Sequence, residues 1–188
     1  NQADVTVAAL PVPLETASAF GVIDADKDGR VRGFLEKPAE PPAMVNDPTR
    51  AYASMGNYVF NAKALTAALI EANRLGEKDF GRHILPRLIN SDRIYAYDFS
   101  TNRVPGVRDY EEQAYWRDVG TLDAYYAAHQ DLLGREPRFN LFNPEWRIGL
   151  SNYQGPSSRI MEAQISNSVI GSGSLINGGK IRNSILRR

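Results

Sequence analysis

Three short polar segments carry the side chains in this sequence that could do chemistry. In the first, Glu36 and Lys37 stand together at the end of a strand-like run and are followed by Pro38. A lysine ammonium is a compact charge suited to a phosphate group, and a neighbouring carboxylate can accept hydrogen bonds from sugar hydroxyls. The same pair would also suit a solvated surface contact, so the segment is only a candidate site.

The other two segments add small residues and a further carboxylate. Ser54 and Gly56 lie at a strand start, where a glycine lets the backbone approach a ligand or forms a bulge. Asp118 lies between Trp116 and a helix start at Thr121. A carboxylate at the edge of a sheet and near a helix N-terminus can hold Mg²⁺, although the helix dipole also favours an acidic residue there.

The elements that must position these segments alternate between strands and helices. Apolar runs predict strands, and segments rich in Ala and Leu with capping residues predict helices. The predicted strands are 5–10, 53–60 and 94–99, with a β-hairpin over 20–35, and Pro11 and Pro13 are expected to close the first strand. The predicted helices are 63–73, 80–90 and 122–133. This alternation predicts an α/β fold with a largely parallel or mixed sheet.

The end of the chain has a different pattern. Val169, Leu175 and Ile181 form an apolar row with a six-residue spacing, which is typical of a parallel β-helix. We therefore expect a first domain over 1–134, a linker over 135–160 and the first hexapeptide repeats of a left-handed β-helix over 161–188. One coil would leave its stacking face exposed, so we expect the chain to be a piece of a longer polypeptide.

Composition limits the possible partners. The 188 residues include 22 Lys and Arg and 22 Asp and Glu, and this balance argues against nucleic acid as a partner. The sequence contains no apolar run of about 18 residues, so no membrane span is expected. It also contains no Cys, which excludes disulfides and fits a cytoplasmic, reducing location.

Taken in order, these segments resemble the sugar-1-phosphate nucleotidyltransferases, and among them the bacterial glucose-1-phosphate adenylyltransferases. The resemblance covers nearly the whole chain. The segments that carry it are Glu36-Lys37-Pro38, Ser54-Met55-Gly56 and Trp116-Arg117-Asp118-Val119-Gly120-Thr121, with Ala17–Val22, Pro41-Pro42, Asn46-Asp47-Pro48, Asp79-Phe80-Gly81 and Leu85-Pro86. It implies a Rossmann-like nucleotidyltransferase domain, present in part, followed by the β-helix.

The resemblance also implies an activity and residue roles. The family makes ADP-glucose and pyrophosphate from ATP and glucose 1-phosphate for glycogen synthesis, with Mg²⁺, usually as an allosteric homotetramer with phosphorylated effectors. By resemblance, Lys37 binds the phosphate of glucose 1-phosphate, Glu36 and Ser54 line the glucose pocket, Gly21 lies beside the sugar, and Asp118 coordinates Mg²⁺. Lys37 and Asp118 are the expected catalytic residues.

One departure from the family pattern leaves alternatives open. The Gly-rich nucleotide loop of the family does not occur in this sequence, so we expect the chain alone not to synthesise ADP-glucose. A non-catalytic regulatory subunit of the same family and a relative that uses UTP or dTTP are the alternatives. A hexapeptide-repeat acyltransferase would need more coils and a catalytic His near them.

Overall fold

The computed structural model describes residues 2–149 and 154–187. The chain forms two units, the first ending at Asn102 and the second beginning at Arg103. The first is built on a sheet, and the second on irregular segments, one helix and short paired strands. Within the described ranges, every helix is too short or too polar to span a membrane.

A five-stranded sheet forms the first unit. Its strands are β1 (Val5–Pro13), β2 (Gly21–Ala25), β3 (Val31–Glu36), β4 (Arg50–Phe60) and β5 (Ile94–Asp98). Their order across the sheet is β3-β2-β4-β1-β5, and β1 pairs parallel with β5 while the other pairs are antiparallel. The predicted hairpin, the mixed sheet and the α/β class are confirmed.

β1 runs through the middle of the core, and it is longer than predicted. Val5, Val7 and Ala9 are fully buried, as expected for alternate residues of a half-buried strand. The strand then continues through Pro11 and Pro13, so the prediction that these prolines close it is wrong. Because β5 ends opposite Ala9, the proline nitrogens face a side that has no partner strand, and no ladder bond is lost.

Two helices cover the sheet of the first unit. α1 (Ala62–Leu75) is capped by Asn61, and it ends at Gly76, whose φ is 71°. The predicted helix over 80–90 is instead a π-helical turn (Phe80–Ile84) followed by the short α2 (Leu85–Leu88). Pro86 has no N–H to donate back along the chain, which accounts for this irregular start.

The core of the first unit lies between the sheet and these helices. Ile23, Leu85 and Ile94 are its largest fully buried side chains, followed by Val5 and Val7 of β1. Partly buried aromatic rings close one side of it, namely Phe34, Tyr58, Phe60 and Phe80. Each buried aliphatic side chain contributes about 1.5–3 kcal/mol, so this core holds the helices against the sheet.

Among the described residues of the second unit, the helix is α3 (Leu122–Gln130). Thr121 caps it as predicted, accepting a hydrogen bond from the Ala124 N–H at 3.1 Å, and the helix ends three residues earlier than predicted. Two buried polar side chains join the irregular segments beside it. Glu111 accepts hydrogen bonds from the backbone of Arg108 and Asn140, and Asn143 donates to the carbonyl of Pro105.

Six short strands follow as three parallel pairs. They are β6 (Arg159–Met161) with β9 (Leu175–Asn177), β7 (Gln164–Ser166) with β10 (Lys180–Arg182), and β8 (Val169–Ile170) with β11 (Ile185–Leu186). Partners are sixteen residues apart, so Ile165 stacks on Ile181, whereas Leu175 is 70% exposed. The predicted six-residue row is therefore wrong, while the left-handed β-helix and the domain limits at 134 and 160 stay predictions.

Candidate functional site

Glu36, Gly21 and Ser54 lie in a row across three neighbouring strands. Gly21 faces Glu36 in the β2–β3 ladder. Val22 pairs with Ala53 in the β2–β4 ladder, and this antiparallel register sets Ser54 next to Gly21. The structure thus brings Glu36, Gly21 and Ser54, which the family resemblance assigned to the sugar pocket, to one level of the sheet.

Lys37 lies at the end of this row, where the chain leaves β3. Its φ is 49°, an angle that non-glycine residues seldom adopt, and its N–H donates to the carbonyl oxygen of Phe20 at 3.1 Å. The side chains of Glu36 and Lys37 are both exposed. One negative and one positive charge therefore stand together at the open end of the β2–β3 hairpin.

Ser54 is held beside a bulge in β4. Ser54 pairs with Ala9 and Tyr58 with Val7, so three residues of β4 lie opposite one residue of β1. Gly56 has a φ of 73° in this bulge and donates its N–H to Ser54 Oγ at 3.3 Å. The bulge suggested by the sequence is present, and it turns Ser54 and Tyr58 towards each other.

Tyr58 connects Ser54 with the carboxylates of the site. Burial raises the pKa of the Tyr58 hydroxyl, a hydrogen bond with Ser54 opposes this shift, and the charges of Asp79 and Glu36 raise the pKa further. Its ring stacks on Phe80, with centroids 5.8 Å apart. The sequence interpretation missed Tyr58, although its place four residues after Ser54 in the same strand was a usable signal.

The segment from Asp79 to Gly81 closes the site from the helical side. Asp79 caps the π-helical turn, accepting a hydrogen bond from the Arg82 N–H at 2.8 Å. A β-carbon on Gly81 would lie 3.3 Å from Glu36 Oε2 and 3.5 Å from Asp79 Oδ1, so the two carboxylates approach one point. In the sequence, Asp79 and Gly81 stood out only as part of the family resemblance, and neither was assigned a role in the site.

An ion pair holds this closing segment on the fold. Arg87 of α2 pairs with Glu77 at 2.8 Å, and the same guanidinium donates to the carbonyl oxygen of Ala68 in α1. Both charged side chains are largely shielded from solvent. The segment between α1 and α2 is therefore fixed at both of its ends.

Asp118, the predicted metal ligand, belongs to the second unit. Its carboxylate is exposed and lies over Gly120, whose β-carbon would stand 3.4 Å from Asp118 Oδ1. The preceding Arg117 donates to Asp131 at 2.8 Å and makes two hydrogen bonds to Glu112. These bonds anchor the backbone from which Asp118 projects.

Asp118 fits Mg²⁺ as one ligand of a site. Among residues 2–149 and 154–187, no three His, Asp or Glu side chains come together as a metal-binding group. Protein-bound Mg²⁺ often takes one or two carboxylates and completes its octahedron with water and substrate phosphate oxygens. The described residues are therefore compatible with Mg²⁺ held in part by a substrate, but they do not form a complete metal cage.

Comparison with known proteins identifies the family. The family model described as Nucleotidyl transferase matches residues 1–135. The chain is 50% identical to the glucose-1-phosphate adenylyltransferase of Thermodesulfovibrio yellowstonii, over 100% of the chain and 46% of that protein. The proteins of the same name from Corynebacterium jeikeium and Mycobacteroides abscessus are 46% and 47% identical, each over 98% of the chain and 46% of the relative.

The chain thus spans somewhat less than half the length of these curated relatives. The match to the family model extends over the whole first unit and over the segment that holds Asp118 and α3. Since this match covers well over half of the residues, the chain belongs to the nucleotidyl transferase family.

Proposed function

We propose that this chain supplies the sugar-phosphate side of a glucose-1-phosphate adenylyltransferase, which makes ADP-glucose and pyrophosphate from ATP and glucose 1-phosphate for glycogen synthesis. The observation that carries the proposal is the row of Glu36, Gly21 and Ser54, with Lys37 at its end. The names of the relatives support glucose 1-phosphate and the adenylyl donor.

The row has the chemistry that a sugar phosphate needs. The Glu36 carboxylate accepts hydrogen bonds from sugar hydroxyls, and the Ser54 hydroxyl both donates and accepts. Gly21 has no side chain, so a sugar ring can approach the backbone between them. Asp79 brings a second carboxylate beside Glu36.

Lys37 binds the phosphate in this proposal. Its ammonium is the positive charge next to the row, and its left-handed backbone angle sets the direction in which the side chain leaves the hairpin. A non-glycine residue in such a conformation is often found at a functional site, where the surrounding structure maintains it. The hydrogen bond from Lys37 to Phe20 is the local support.

The reaction transfers an adenylyl group. A phosphate oxygen of glucose 1-phosphate attacks the α-phosphorus of ATP, a new P–O bond forms, and the bond to the leaving pyrophosphate breaks. Such transfers depend on positioning and charge neutralisation more than on covalent catalysis. Lys37 holds the attacking phosphate; Asp118 would hold Mg²⁺, which when bound offsets phosphate charge and orients the oxygen.

Further parts of the proposal rest on the family resemblance. They are assembly as a homotetramer, regulation by a phosphorylated or anionic effector, and a cytoplasmic location. The ATP-binding residues are expected in a segment equivalent to the part of the relatives that this chain does not match.

A chimera tests the proposed function. These 188 residues replace the matched segment of the Thermodesulfovibrio yellowstonii protein. Release of pyrophosphate is measured with ATP, which would give ADP-glucose, and separately with UTP, which would give UDP-glucose. We expect turnover with ATP, and a KM for glucose 1-phosphate at least about tenfold higher in Lys37→Ala with an unchanged KM for ATP. The control is Lys27→Ala, in the exposed hairpin turn. An unchanged KM in Lys37→Ala would remove Lys37 from this role.

A further inference from the structure

Two glycines that are far apart in the sequence border the same two groups. A β-carbon on Gly21 would lie 3.1 Å from the Phe34 ring and 3.2 Å from Glu36 Oε2. A β-carbon on Gly81 would lie 3.1 Å from the same ring and 3.3 Å from the same oxygen. Gly21 belongs to β2 and Gly81 to the π-helical turn, so the carboxylate of Glu36 lies in a slot between two elements.

Backbone conformation does not explain either glycine. Neither Gly21 nor Gly81 is among the glycines with a positive φ, so an L-residue could adopt both backbone conformations. In a helical turn a glycine costs about 1 kcal/mol relative to alanine. The remaining reason is steric: a side chain would not fit. Non-bonded carbon atoms prefer separations of about 3.5–4.0 Å, and a methyl group at Gly81 would be closer than that to the Phe34 ring.

We propose that Gly81 is a positioning residue for Glu36, the counterpart of Gly21 on the helical side. By leaving the slot open, it keeps the Glu36 carboxylate at the place from which it accepts sugar hydroxyls. A methyl group there would displace the carboxylate by a few tenths of an ångström and would weaken its directional hydrogen bonds. This inference rests on the proposed sugar-phosphate site.

A matched control lies in the neighbouring strand. Gly33 in β3 also lacks a positive φ, and a β-carbon there would meet Asp24 and Leu35 at 3.4 Å or more, which is ordinary contact. Gly33→Ala therefore makes the same chemical change in β3, the strand that carries Glu36, and its added methyl group meets Asp24 and Leu35 instead of the Glu36 carboxylate.

The experiment titrates the 188-residue chain with glucose 1-phosphate and, separately, with inorganic phosphate. We expect Gly81→Ala to weaken glucose 1-phosphate binding about tenfold and to leave the binding of inorganic phosphate unchanged. Gly33→Ala should change the binding of neither ligand. A double-mutant cycle with Glu36→Ala separates positioning from general damage, because Gly81→Ala should cause no additional loss once the carboxylate is absent.

Each outcome supports or overturns the inference. Unchanged sugar-phosphate binding in Gly81→Ala, equal losses for both ligands, or an undiminished loss in the Glu36→Ala background would each overturn it. If Gly81→Ala does not fold, recovery of folding by Glu36→Ala shows that the carboxylate fills that space, and failure to recover overturns the inference. Absence of binding by the unmodified chain would contradict the proposed function itself, and the role of Gly81 with it.

Discussion

Lys37 donates its backbone N–H to the carbonyl oxygen of Phe20 at 3.1 Å, which ties the candidate phosphate-binding residue to the residue preceding Gly21. Lys37 has a φ of 49° at this point. The hairpin therefore ends in a conformation that is unfavourable for a lysine and that fixes the direction of its side chain.

This conformation predicts opposite effects on stability and binding. Lys37→Gly should stabilise the first unit by about 1 kcal/mol, because glycine adopts positive φ without steric cost, and should weaken glucose 1-phosphate binding at least tenfold. Urea unfolding and calorimetric titration measure the two effects. Lys37→Ala is the matched control, because it loses the charge but keeps the strain. A glycine variant that is no more stable than the alanine variant would contradict the prediction.

The link between Ser54 and Tyr58 predicts a pKa change. Ser54 lowers the pKa of Tyr58 against the larger effect of burial, so Ser54→Ala should raise it further above the usual value near 10. The raised pKa means that the folded state favours neutral Tyr58. Its contribution to stability is therefore complete below pH 10 and is lost as the pH rises through the folded-state pKa.

NMR of ¹³C-labelled tyrosine follows this titration directly. Tyr58→Phe identifies the resonance, and Ser91→Ala, a hydroxyl removed elsewhere in the first unit, serves as the control. A Tyr58 titration that is unchanged or moved to lower pH in Ser54→Ala would show that the two side chains are not coupled.

The sequence alone predicted the separate strands but not the row that they form. Gly21 and Ser54 lie near the start of predicted strands and Glu36 directly follows one, and local pattern was sufficient to find those strands. Their alignment depends on the pairing of β2 with both β3 and β4. The family resemblance supplied the three residues together, whereas composition and spacing gave only separate weak signals.

Long-range packing decided what the sequence interpretation missed. Gly81 reaches Glu36 only because the π-helical turn packs on β3, and nothing in the local sequence of either segment predicts that contact. Pro11 and Pro13 looked like the end of a strand, but the length of the neighbouring β5 decides whether a proline is tolerated. Likewise, stacking of the last strands follows a sixteen-residue offset that a single coil cannot reveal in advance.

The contacts of Arg117 predict a local loss of structure in the second unit. Arg117 bonds to Glu112 and Asp131 and lies 4.4 Å over the Tyr115 ring, with a quarter of its side chain exposed. Arg117→Met should lower the local stability of this segment by about 2 kcal/mol, which is somewhat less than the loss when one partner of a fully buried ion pair is removed. Hydrogen exchange over residues 112–131 measures this cost.

Arg138 provides the matched control for that measurement. It reaches the same carboxylates only at 3.8 and 3.6 Å, and 65% of its side chain is exposed. Arg138→Met should therefore change the free energy of local opening, obtained from hydrogen exchange, by less than about 0.5 kcal/mol. Equal effects of the two variants would show that Arg117 does not anchor the segment before Asp118.

Asp4 predicts a defined acid dependence of the first unit. Hydrogen bonds from the Arg93 side chain and backbone lower the pKa of the Asp4 carboxyl from 3.8 to about 2. A depressed folded-state pKa gives stability that is present above pH 3.8 and is lost as the pH falls towards 2. Urea unfolding at several pH values measures this dependence. Asp4→Asn should make the free energy of unfolding depend less on pH in this window, whereas Glu40→Gln, in an exposed loop, should leave the dependence as it is.

Binding of glucose 1-phosphate by the 188-residue chain tests the central claim most directly. Calorimetric titration should show one site per chain, and the double variant Glu36→Ala and Lys37→Ala should weaken binding by about a hundredfold, since each lost charged contact is worth about tenfold. Thermal unfolding of the double variant checks that the fold persists. A chain that does not bind glucose 1-phosphate, or a folded double variant that binds it as tightly as the original, would contradict the account.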